Sequence, residues 1–207
     1  MAKSMKKPKN SYRHGDLKSS IISLALSEIK KTNKVDFTLR ELANQLGVTH
    51  ASVYRHFKSK IEILYAIAEE GFSLLNDKFI LALKKNPKDI VSIGVAYVEF
   101  AIRHPDHFKV MFHPDLKIDG SHPRLANFGA KTFSYLHECV KLNVESGNFR
   151  EQNIEELAVA AWSIVHGLAV LAVNGSLNPL PNGIAFQRKD TSLIVANIIM
   201  HGLLVRK

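Results

Sequence analysis

The sequence predicts an all-α protein in which a long helix joins a small N-terminal three-helix domain to a larger helical domain. Two observations lead to this fold class. Apolar residues recur at the i, i+3, i+4 and i+7 spacing of helices along most of the 207 residues. No segment has the apolar and polar alternation that is typical of strands. Glycine, proline and asparagine interrupt the apolar pattern where one predicted helix ends and the next begins.

The chain is predicted to open with a basic arm and one helix. Residues 1–11 are rich in lysine, which favours a flexible arm that either reaches into a minor groove or is simply solvated. Asp16 is a candidate N-cap for the first helix, whose apolar face holds Leu17, Ile21, Leu24, Ala25 and Ile29. We place the small domain at residues 12–60 and the larger one at residues 61–207.

Two short helices joined by a tight turn are predicted next. Thr38 and Glu41 have the spacing of a capping box at the start of the first of them. Gly47 follows its apolar face, at the position where a left-handed backbone favours glycine. Thr49 is a candidate N-cap for the second helix, which is short, polar and basic, as suits a helix that lies in the major groove of DNA.

The charge of the chain is concentrated around these helices. Residues 1–60 carry 13 basic and 4 acidic side chains, and the remaining residues carry 15 of each, so the whole formal charge of +9 lies in the first segment. A basic segment attracts a polyanion and releases its counterions, which makes such binding sensitive to salt. Together with the short polar helix, this charge predicts a nucleic-acid partner.

The stretch from Thr38 to Lys60 follows the pattern T-L-R-E-L-A-x-x-L-G-V-T-x-x-x-V-Y-x-H-F-x-x-K. This pattern resembles the helix-turn-helix domain of the TetR family of transcriptional regulators, and the likeness covers about residues 12–72. The resemblance implies a double-stranded DNA operator as partner. The residues expected to contact it are Thr38, Arg40, Thr49, His50, Ala51, Ser52, Tyr54, Arg55, His56 and Lys60.

These residues divide by expected role. At the start of the first motif helix, Thr38 and Arg40 are expected at phosphates, with Arg40 also able to reach a base. The leading residues of the second helix, 50–52, are expected at base edges or methyl groups. The resemblance places Tyr54, His56 and Lys60 at the phosphate backbone, and Arg55 has the donors to bind two acceptors of a guanine.

Six further helices are predicted after the motif, and five of them end by Gly175. Ser59 is a candidate cap for a long helix that ends before Asn86–Pro87, and Pro87 is expected in the first turn of the next helix, which stops at His104–Pro105. A short helix follows at residues 106–112. Ser121 is a candidate cap for a long helix that ends at Gly147, and Asn153 is a candidate cap for another that ends at Gly175.

The last predicted helix covers about residues 190–204, and with residues 153–175 it is expected to form a homodimer interface. Both helices are rich in apolar residues, and pairing them with their two-fold mates gives a four-helix contact. DNA recognition requires a dimer independently, because two recognition helices must reach major-groove faces roughly 34–36 Å apart. The segment Trp162–Gly167 also resembles a narrower subgroup in which a Trp is followed shortly by His-Gly.

The family resemblance further implies a small-molecule effector that binds among the helices of the larger domain. Candidate contact residues are Tyr97, Phe100, His104, Phe108, Met111, Phe112, Phe128, Trp162 and His166. Side chains of this kind are more typical of an ordinary core than of a pocket lining, and a packed tryptophan with a hydrogen-bonded histidine is the preferred interpretation of residues 162 and 166. No cofactor is expected.

Neither a metal site nor an active site is expected. The side chains with metal-ligand chemistry are His104, Asp106, His107, His113, Asp115 and His122, and their spacing does not fix a common geometry. No catalytic or nucleotide-binding fingerprint is present, and Cys139 and His137 point to different faces of one helix.

The composition predicts a soluble, cytoplasmic protein. A single cysteine, Cys139, excludes an internal disulfide and fits a reducing compartment, where we expect it in a core or an interface. The lysines of the arm precede no apolar leader, and the most apolar stretch, residues 157–173, is shorter than a usual membrane span.

From the sequence we therefore expect a ligand-responsive repressor that binds a palindromic operator as a homodimer. Two alternatives stay open. One is a transcriptional activator, because the sign of regulation depends on where the operator lies. The other is a helical adaptor that has lost specific DNA binding.

Overall fold

The computed structural model describes residues 17–117, 121–149, 153–177 and 194, which form eight α-helices and no β-strand. The all-α fold class is therefore confirmed. The chain divides into two compact units, Met1–Ile63 and Leu64–Lys207. The predicted arm at residues 1–11, the predicted cap Asp16 and the predicted helix 190–204 lie outside the described residues, apart from the single helical residue 194.

The first unit contains α1 (Leu17–Thr32), α2 (Leu39–Leu46) and α3 (His50–His56), and each of these helices packs against the other two. Its core consists of fully buried side chains from all three helices, namely Ile21, Ala25, Ile29, Leu42, Ala43 and Val53. Gly47 ends α2 with a φ of 68°, a conformation that glycine adopts at little cost. This turn lets α3 leave α2 with only Val53 directed into the core.

The helices of the second unit follow α4 (Lys60–Leu83), whose first turn belongs to the first unit. They are α5 (Ile90–Arg103), α6 (Pro105–Met111), α7 (Pro123–Glu145) and α8 (Ile154–Val173). The most extensive packing is between α5 and α8, followed by that between α7 and α8. The predicted order of helices is correct throughout the described part of the chain.

Two predicted helix starts are wrong. Pro87 is not in the first turn of α5, because Asp89 caps that helix by accepting hydrogen bonds from the Ser92 N–H at 2.9 Å and the Ser92 hydroxyl at 2.7 Å. Ser121 does not cap α7; His122 does, since its Nδ1 accepts from the N–H of Leu125 at 3.3 Å. A proline occupies the start of α7, where no helical hydrogen bond is lost.

Three buried polar side chains of the second unit are hydrogen-bonded. Thr132 of α7 donates to Asn76 Oδ1 of α4 at 2.8 Å, and Asn143 of α7 donates to the carbonyl of Lys88 at 2.8 Å. Buried polar groups with partners fix the register of neighbouring elements, because a shift would leave them unpaired. These two bonds fix α7 against α4 and against the chain that leads into α5.

Cys139 lies on α7 in this same core. Its side chain is buried, and desolvation by burial, together with the charge of Asp89, raises the pKa of the thiol to about 12. Its thiol is thus held in the protonated, unreactive form at neutral pH. The predicted core position is confirmed.

Helices α4 and α6 approach each other closely at Gly71. A Cβ atom built on this glycine would lie 2.6 Å from the sulfur of Met111 and 3.3 Å from the Cβ of His107. Met111 is itself fully buried. The close approach therefore depends on the missing side chain at position 71.

Of the described helices, α8 alone has the length and apolar composition to cross a membrane, with a mean hydropathy of 1.8 and 28% of that stretch buried. The core helix of a soluble protein meets the same two criteria, so this is weak evidence for a membrane span. The large apolar side chains exposed on it are Val159, Trp162 and Leu171.

Candidate nucleic-acid interface and apolar cavity

The N-terminus of α3 is organised by Thr49. Its backbone is extended, and its hydroxyl accepts from the N–H of Ser52 at 3.2 Å and shares a 2.8 Å hydrogen bond with the Ser52 hydroxyl. Thr49 is therefore the N-cap, as predicted. The free N–H groups at such a helix start favour negatively charged partners.

The remaining side chains of α3 point away from the core. His50, Ala51, Tyr54, Arg55 and His56 are exposed, with Tyr54 46% exposed despite its aromatic ring. His50 Nε2 lies 3.4 Å from Asn44 Oδ1 of α2, and Arg55 Nη2 donates to the Ser52 hydroxyl at 3.5 Å. Five of the ten side chains predicted to meet DNA thus lie together on the exposed surface of one short helix.

Helix α2 starts with the predicted capping box. The backbone N–H of Thr38 donates to Glu41 Oε2 at 2.8 Å, and the N–H of Glu41 donates to the Thr38 hydroxyl at 3.2 Å. Hydrogen bonds from the side chain and then the backbone of Thr38 lower the pKa of Glu41 below its ordinary value. Arg40 follows the cap and is exposed.

Lys60 is placed differently from the other predicted contact residues. Its Nζ donates to the carbonyl of Val35 at 2.7 Å and lies 5.4 Å from the centre of the Phe37 ring. Two of its three donors remain for other partners. In this unit Lys60 fastens the start of α4 to the segment that precedes α2, a role that the motif alone did not predict.

The second unit contains a cavity of about 230 Å³. Helices α4, α5, α7 and α8 line it, together with Phe112, which directly follows α6. Six aromatic side chains contribute to its wall, namely Phe72, Phe79, Tyr97, Phe112, Phe133 and Trp162. A space of this size with an aromatic lining has room for a small apolar molecule.

Tyr97, Trp162 and His166 form a hydrogen-bonded group beside this cavity. The Tyr97 hydroxyl is 2.8 Å from His166 Nδ1, and the indole N–H of Trp162 donates to the Tyr97 oxygen at 3.3 Å. Burial raises the pKa of Tyr97 and lowers the pKa of His166. Both groups are therefore neutral near pH 7, and the tyrosine hydroxyl donates to the histidine while it accepts from the indole.

The ligand-contact residues predicted from sequence fall into two groups. Tyr97, Phe112 and Trp162 line the cavity. The others lie outside its lining. His166 contacts Tyr97 and the ring of Phe112, and the rings of Phe100 and His104 stack on each other. Phe108 and Met111 are buried, and the carbonyl of Phe128 accepts a hydrogen bond from Thr132. A role in ligand binding stays a prediction for all nine.

Sequence reasoning missed much of the lining. Phe72, Leu75 and Phe79 belong to the apolar stripe of α4, and Thr132, Leu136 and Val165 belong to helices whose apolar faces suggested only a core. A residue that borders a cavity has the same helical spacing as one that packs against a neighbour. Nothing in the sequence separates the two cases.

The candidate metal ligands do not converge. Among the described residues, no three His, Cys, Asp or Glu side chains are placed to hold one ion. His107 lies 3.6 Å from Glu70, His113 lies 3.7 Å from Asp115, and His122 stacks on Tyr65 with its ring centre 3.8 Å away. These histidines thus pair with separate neighbours.

Two family models match the chain. The model for "Bacterial regulatory proteins, tetR family" matches residues 21–67, and the model for "Tetracyclin repressor-like, C-terminal domain" matches residues 90–188. Together they cover more than half of the sequence. The subgroup predicted from Trp162, His166 and Gly167 stays a prediction. No curated protein matches the chain significantly.

Solved structures share the fold along nearly the whole chain. A bacterial regulatory protein in the tetR family from Rhodococcus RHA1 has a TM-score of 0.71 and 18% identity, covering 91% of this chain and 97% of that one. The regulator PfmR from Thermus thermophilus has a TM-score of 0.66 and 21% identity, covering 87% and 97%. A protein from Saccharomonospora viridis solved in complex with choline has a TM-score of 0.64 and 18% identity, covering 91% and 97%.

Proposed function

Because this chain belongs to the TetR family of DNA-binding transcriptional regulators, we propose that it is a homodimeric repressor released from its operator by a small molecule. The observation that carries the DNA-binding part is the outer surface of α3. It presents His50, Ala51, Tyr54, Arg55 and His56 together, in the segment that holds the whole net charge.

The proposed contacts follow from this surface. Thr49, His50, Ala51 and Ser52 at the start of α3 meet base edges, and Arg55 binds two acceptors of a guanine. Thr38, Arg40, Tyr54 and His56 bind phosphates and set the register of the helix. Lys60 contributes to the phosphate contacts through the donors that Val35 leaves unused.

The proposed homodimer is supported by the exposed apolar side chains of α8. Val159, Trp162 and Leu171 are 49%, 37% and 46% exposed in the single chain. Apolar side chains of this size on one helix favour an interface. We assign the partner surface to the same helix of a second copy, together with residues 190–204. Two copies place two α3 helices on one palindromic operator.

Effector control is proposed to act through α4. This helix contributes Phe72, Leu75 and Phe79 to the cavity wall, and its first residue, Lys60, belongs to the first unit. A ligand shifts the balance between DNA-binding and released forms only if it binds one of them more tightly. A molecule that binds in the cavity is therefore expected to bind more tightly to the released form of the protein than to the DNA-binding form.

Two further features belong to the proposal. We assign the protein to the cytoplasm, where its operator would lie, and we assign it no enzymatic activity, since its relatives are regulators. The alternatives are an activator and an adaptor without specific DNA binding. The exposed basic surface of α3 favours a DNA-binding protein over the adaptor.

The test is selection of bound sequences from a random duplex pool, followed by footprinting of the selected DNA. We expect a palindrome whose half-sites lie one or more helical turns apart. Binding that depends on salt but not on sequence would contradict the proposal. Transcription from a promoter that carries the selected palindrome then separates a repressor, which lowers the yield of transcript, from an activator, which raises it.

A further inference from the structure

We infer that the cavity of the second unit takes a small, uncharged, hydrocarbon-like molecule with a ring or a branched skeleton. This inference rests on the proposed effector site and specifies its chemistry. The first observation is that, within the described part of the chain, no acidic or basic side chain lines the cavity. A charged ligand would leave water without gaining a partner of opposite charge, which is strongly unfavourable in an apolar site.

The second observation is that the polar atoms in the wall already have partners. The Tyr97 hydroxyl is shared between His166 and Trp162, so the indole N–H is engaged as well. The Thr132 hydroxyl donates either to Asn76 or to the carbonyl of Phe128. A ligand with several polar groups would therefore lose hydrogen bonds to water and gain few in return.

The third observation is the size of the space. A cavity of about 150 Å³ lined by apolar side chains is large enough for benzene. The cavity found here, at about 230 Å³, has room for a benzene ring with a branched alkyl substituent. The aromatic walls contributed by Phe79, Phe112 and Phe133 match the flat and edge faces of such a ring.

An aromatic wall also suits a quaternary ammonium ion, which binds to ring faces through cation–π interactions. Proteins that bind such cations surround them with several aromatic rings, and a structure similar to this chain was solved in complex with choline, which is a quaternary ammonium ion. In this cavity the attraction to the rings has to offset the desolvation of a full charge without help from a carboxylate. The neutral ligand is therefore favoured.

A pair of probes that differ only in charge tests the inference. tert-Butylbenzene and phenyltrimethylammonium have the same shape, and the second carries a positive charge. Trp162 is the only tryptophan of the chain and lies in the cavity wall, so its fluorescence reports occupancy directly. The melting temperature of the full-length protein provides a second measurement, because a bound ligand stabilises the folded form.

We expect tert-butylbenzene to shift the Trp162 fluorescence and raise the melting temperature at a concentration at least ~100-fold lower than phenyltrimethylammonium requires. Equal or tighter binding of the cation would overturn the inference and make the site an aromatic cage. No response to tert-butylbenzene up to its solubility limit would overturn it too.

Variants locate the binding within the cavity. Ala161→Phe adds a ring at a buried lining position and is expected to abolish the effect of tert-butylbenzene. Ala160→Phe adds the same ring at the exposed neighbouring position and is expected to leave it unchanged. Should Ala161→Phe fail to fold, Leu136→Phe makes a smaller addition at another lining position. Retained binding in a folded lining variant would contradict the assignment.

The two proposals fail in different ways. Absence of sequence-specific DNA binding in the ligand-free protein would reject the proposed regulator without affecting the ligand measurements. If tert-butylbenzene binds and operator affinity stays the same, the class of ligand stands and its role as an effector is rejected.

Discussion

At the scale of single residues, the burial of Val53 determines which side chains of α3 face the solvent. Val53 is fully buried, Ser52 is half-buried, and the other side chains of α3 are exposed. α3 has seven residues and buries one of them, so Gly47 and Thr49, which both precede it, determine how it leaves α2. The sequence motif carries all three residues, which is why this surface was predictable.

We predict that Tyr54→Phe combined with Arg55→Ala weakens operator binding while the fold stays intact. Loss of the tyrosine hydroxyl removes one hydrogen bond, about 1 kcal/mol, and loss of the guanidinium removes a bidentate contact, about 1–3 kcal/mol. Both side chains are exposed, so the melting temperature should not change. The measurement is DNA affinity by titration across salt concentrations.

Lys84→Ala is the control for this pair, since it removes an exposed cation from the second unit and leaves α3 untouched. Unchanged affinity in the double variant would show that α3 does not dock as proposed. Weakening by Lys84→Ala to the same extent would mean that net charge alone controls binding.

Glu41 gives a second prediction at this scale, in acid. Hydrogen bonds from Thr38 lower the pKa of the folded carboxyl below the ordinary 4.5, so its charged form stabilises the cap at any pH above that value. This contribution is lost as the pH falls through the lowered pKa. We expect Glu41→Gln to lower the melting temperature at neutral pH, and the difference from wild type to vanish in strong acid.

The Gln variant isolates the charge, because its amide can still accept from Thr38. Melting curves recorded over a pH series make the comparison. A difference between the two proteins that stays constant across the series would mean that ionisation of Glu41 does not contribute to the cap.

At the scale of helices, the sequence predicted the order of elements better than their starts. Asn153 and Thr38 cap the expected helices, because each directly precedes the apolar pattern of its helix. Pro87 suggested the start of α5 and Ser121 suggested the start of α7, but in both cases a neighbouring residue supplies the capping group. Asp89 and His122 satisfy the free N–H groups at positions that Pro87 and Ser121 do not.

A side chain added at Gly71 tests the contact between α4 and α6. Gly71→Ala would place its methyl group 2.6 Å from the sulfur of Met111. Alanine favours a helix over glycine by roughly 1 kcal/mol, whereas overpacking costs about 1–3 kcal/mol. Because Met111 is fully buried and has little room to move, we expect net destabilisation of about 1 kcal/mol. Denaturant titration measures it.

A double-mutant cycle checks the cause. In the background of Met111→Ala, which removes the sulfur, Gly71→Ala is expected to be neutral or stabilising. If the alanine at position 71 destabilises both backgrounds equally, the clash with the methionine is not responsible.

At the scale of the whole molecule, family membership followed from a short N-terminal motif, while the cavity did not follow from any part of the sequence. The difference is physical. The helix-turn-helix motif has particular residue types at fixed positions, whereas the cavity is the space between four helices and Phe112. Its lining residues Leu75, Ile93 and Val165 have the same character as the buried core around them.

Gly167 provides a prediction about assembly. In the described part of a single chain, nothing lies within 4 Å of a Cβ built on this glycine, so alanine there is expected to stabilise α8 slightly through helix propensity. In the proposed homodimer, the same methyl group would enter the contact between the two copies of α8. We therefore expect Gly167→Ala to weaken dimerisation while the fold of each chain is retained.

Sedimentation over a dilution series measures the dimer, and circular dichroism measures the helix content. Ser163→Ala serves as the control, because it lies on the same exposed face and adds no volume. An unchanged dissociation constant for Gly167→Ala would place the interface elsewhere.

The buried, unreactive thiol of Cys139 makes the wild-type chain ready for site-directed labelling without removal of any native residue. A cysteine introduced at an exposed position of α3, for example by Ala51→Cys, would react alone with a spin label. In a two-copy assembly, each particle would then carry two probes, one per recognition helix. Pulsed electron resonance could measure the distance between them with and without a molecule in the cavity.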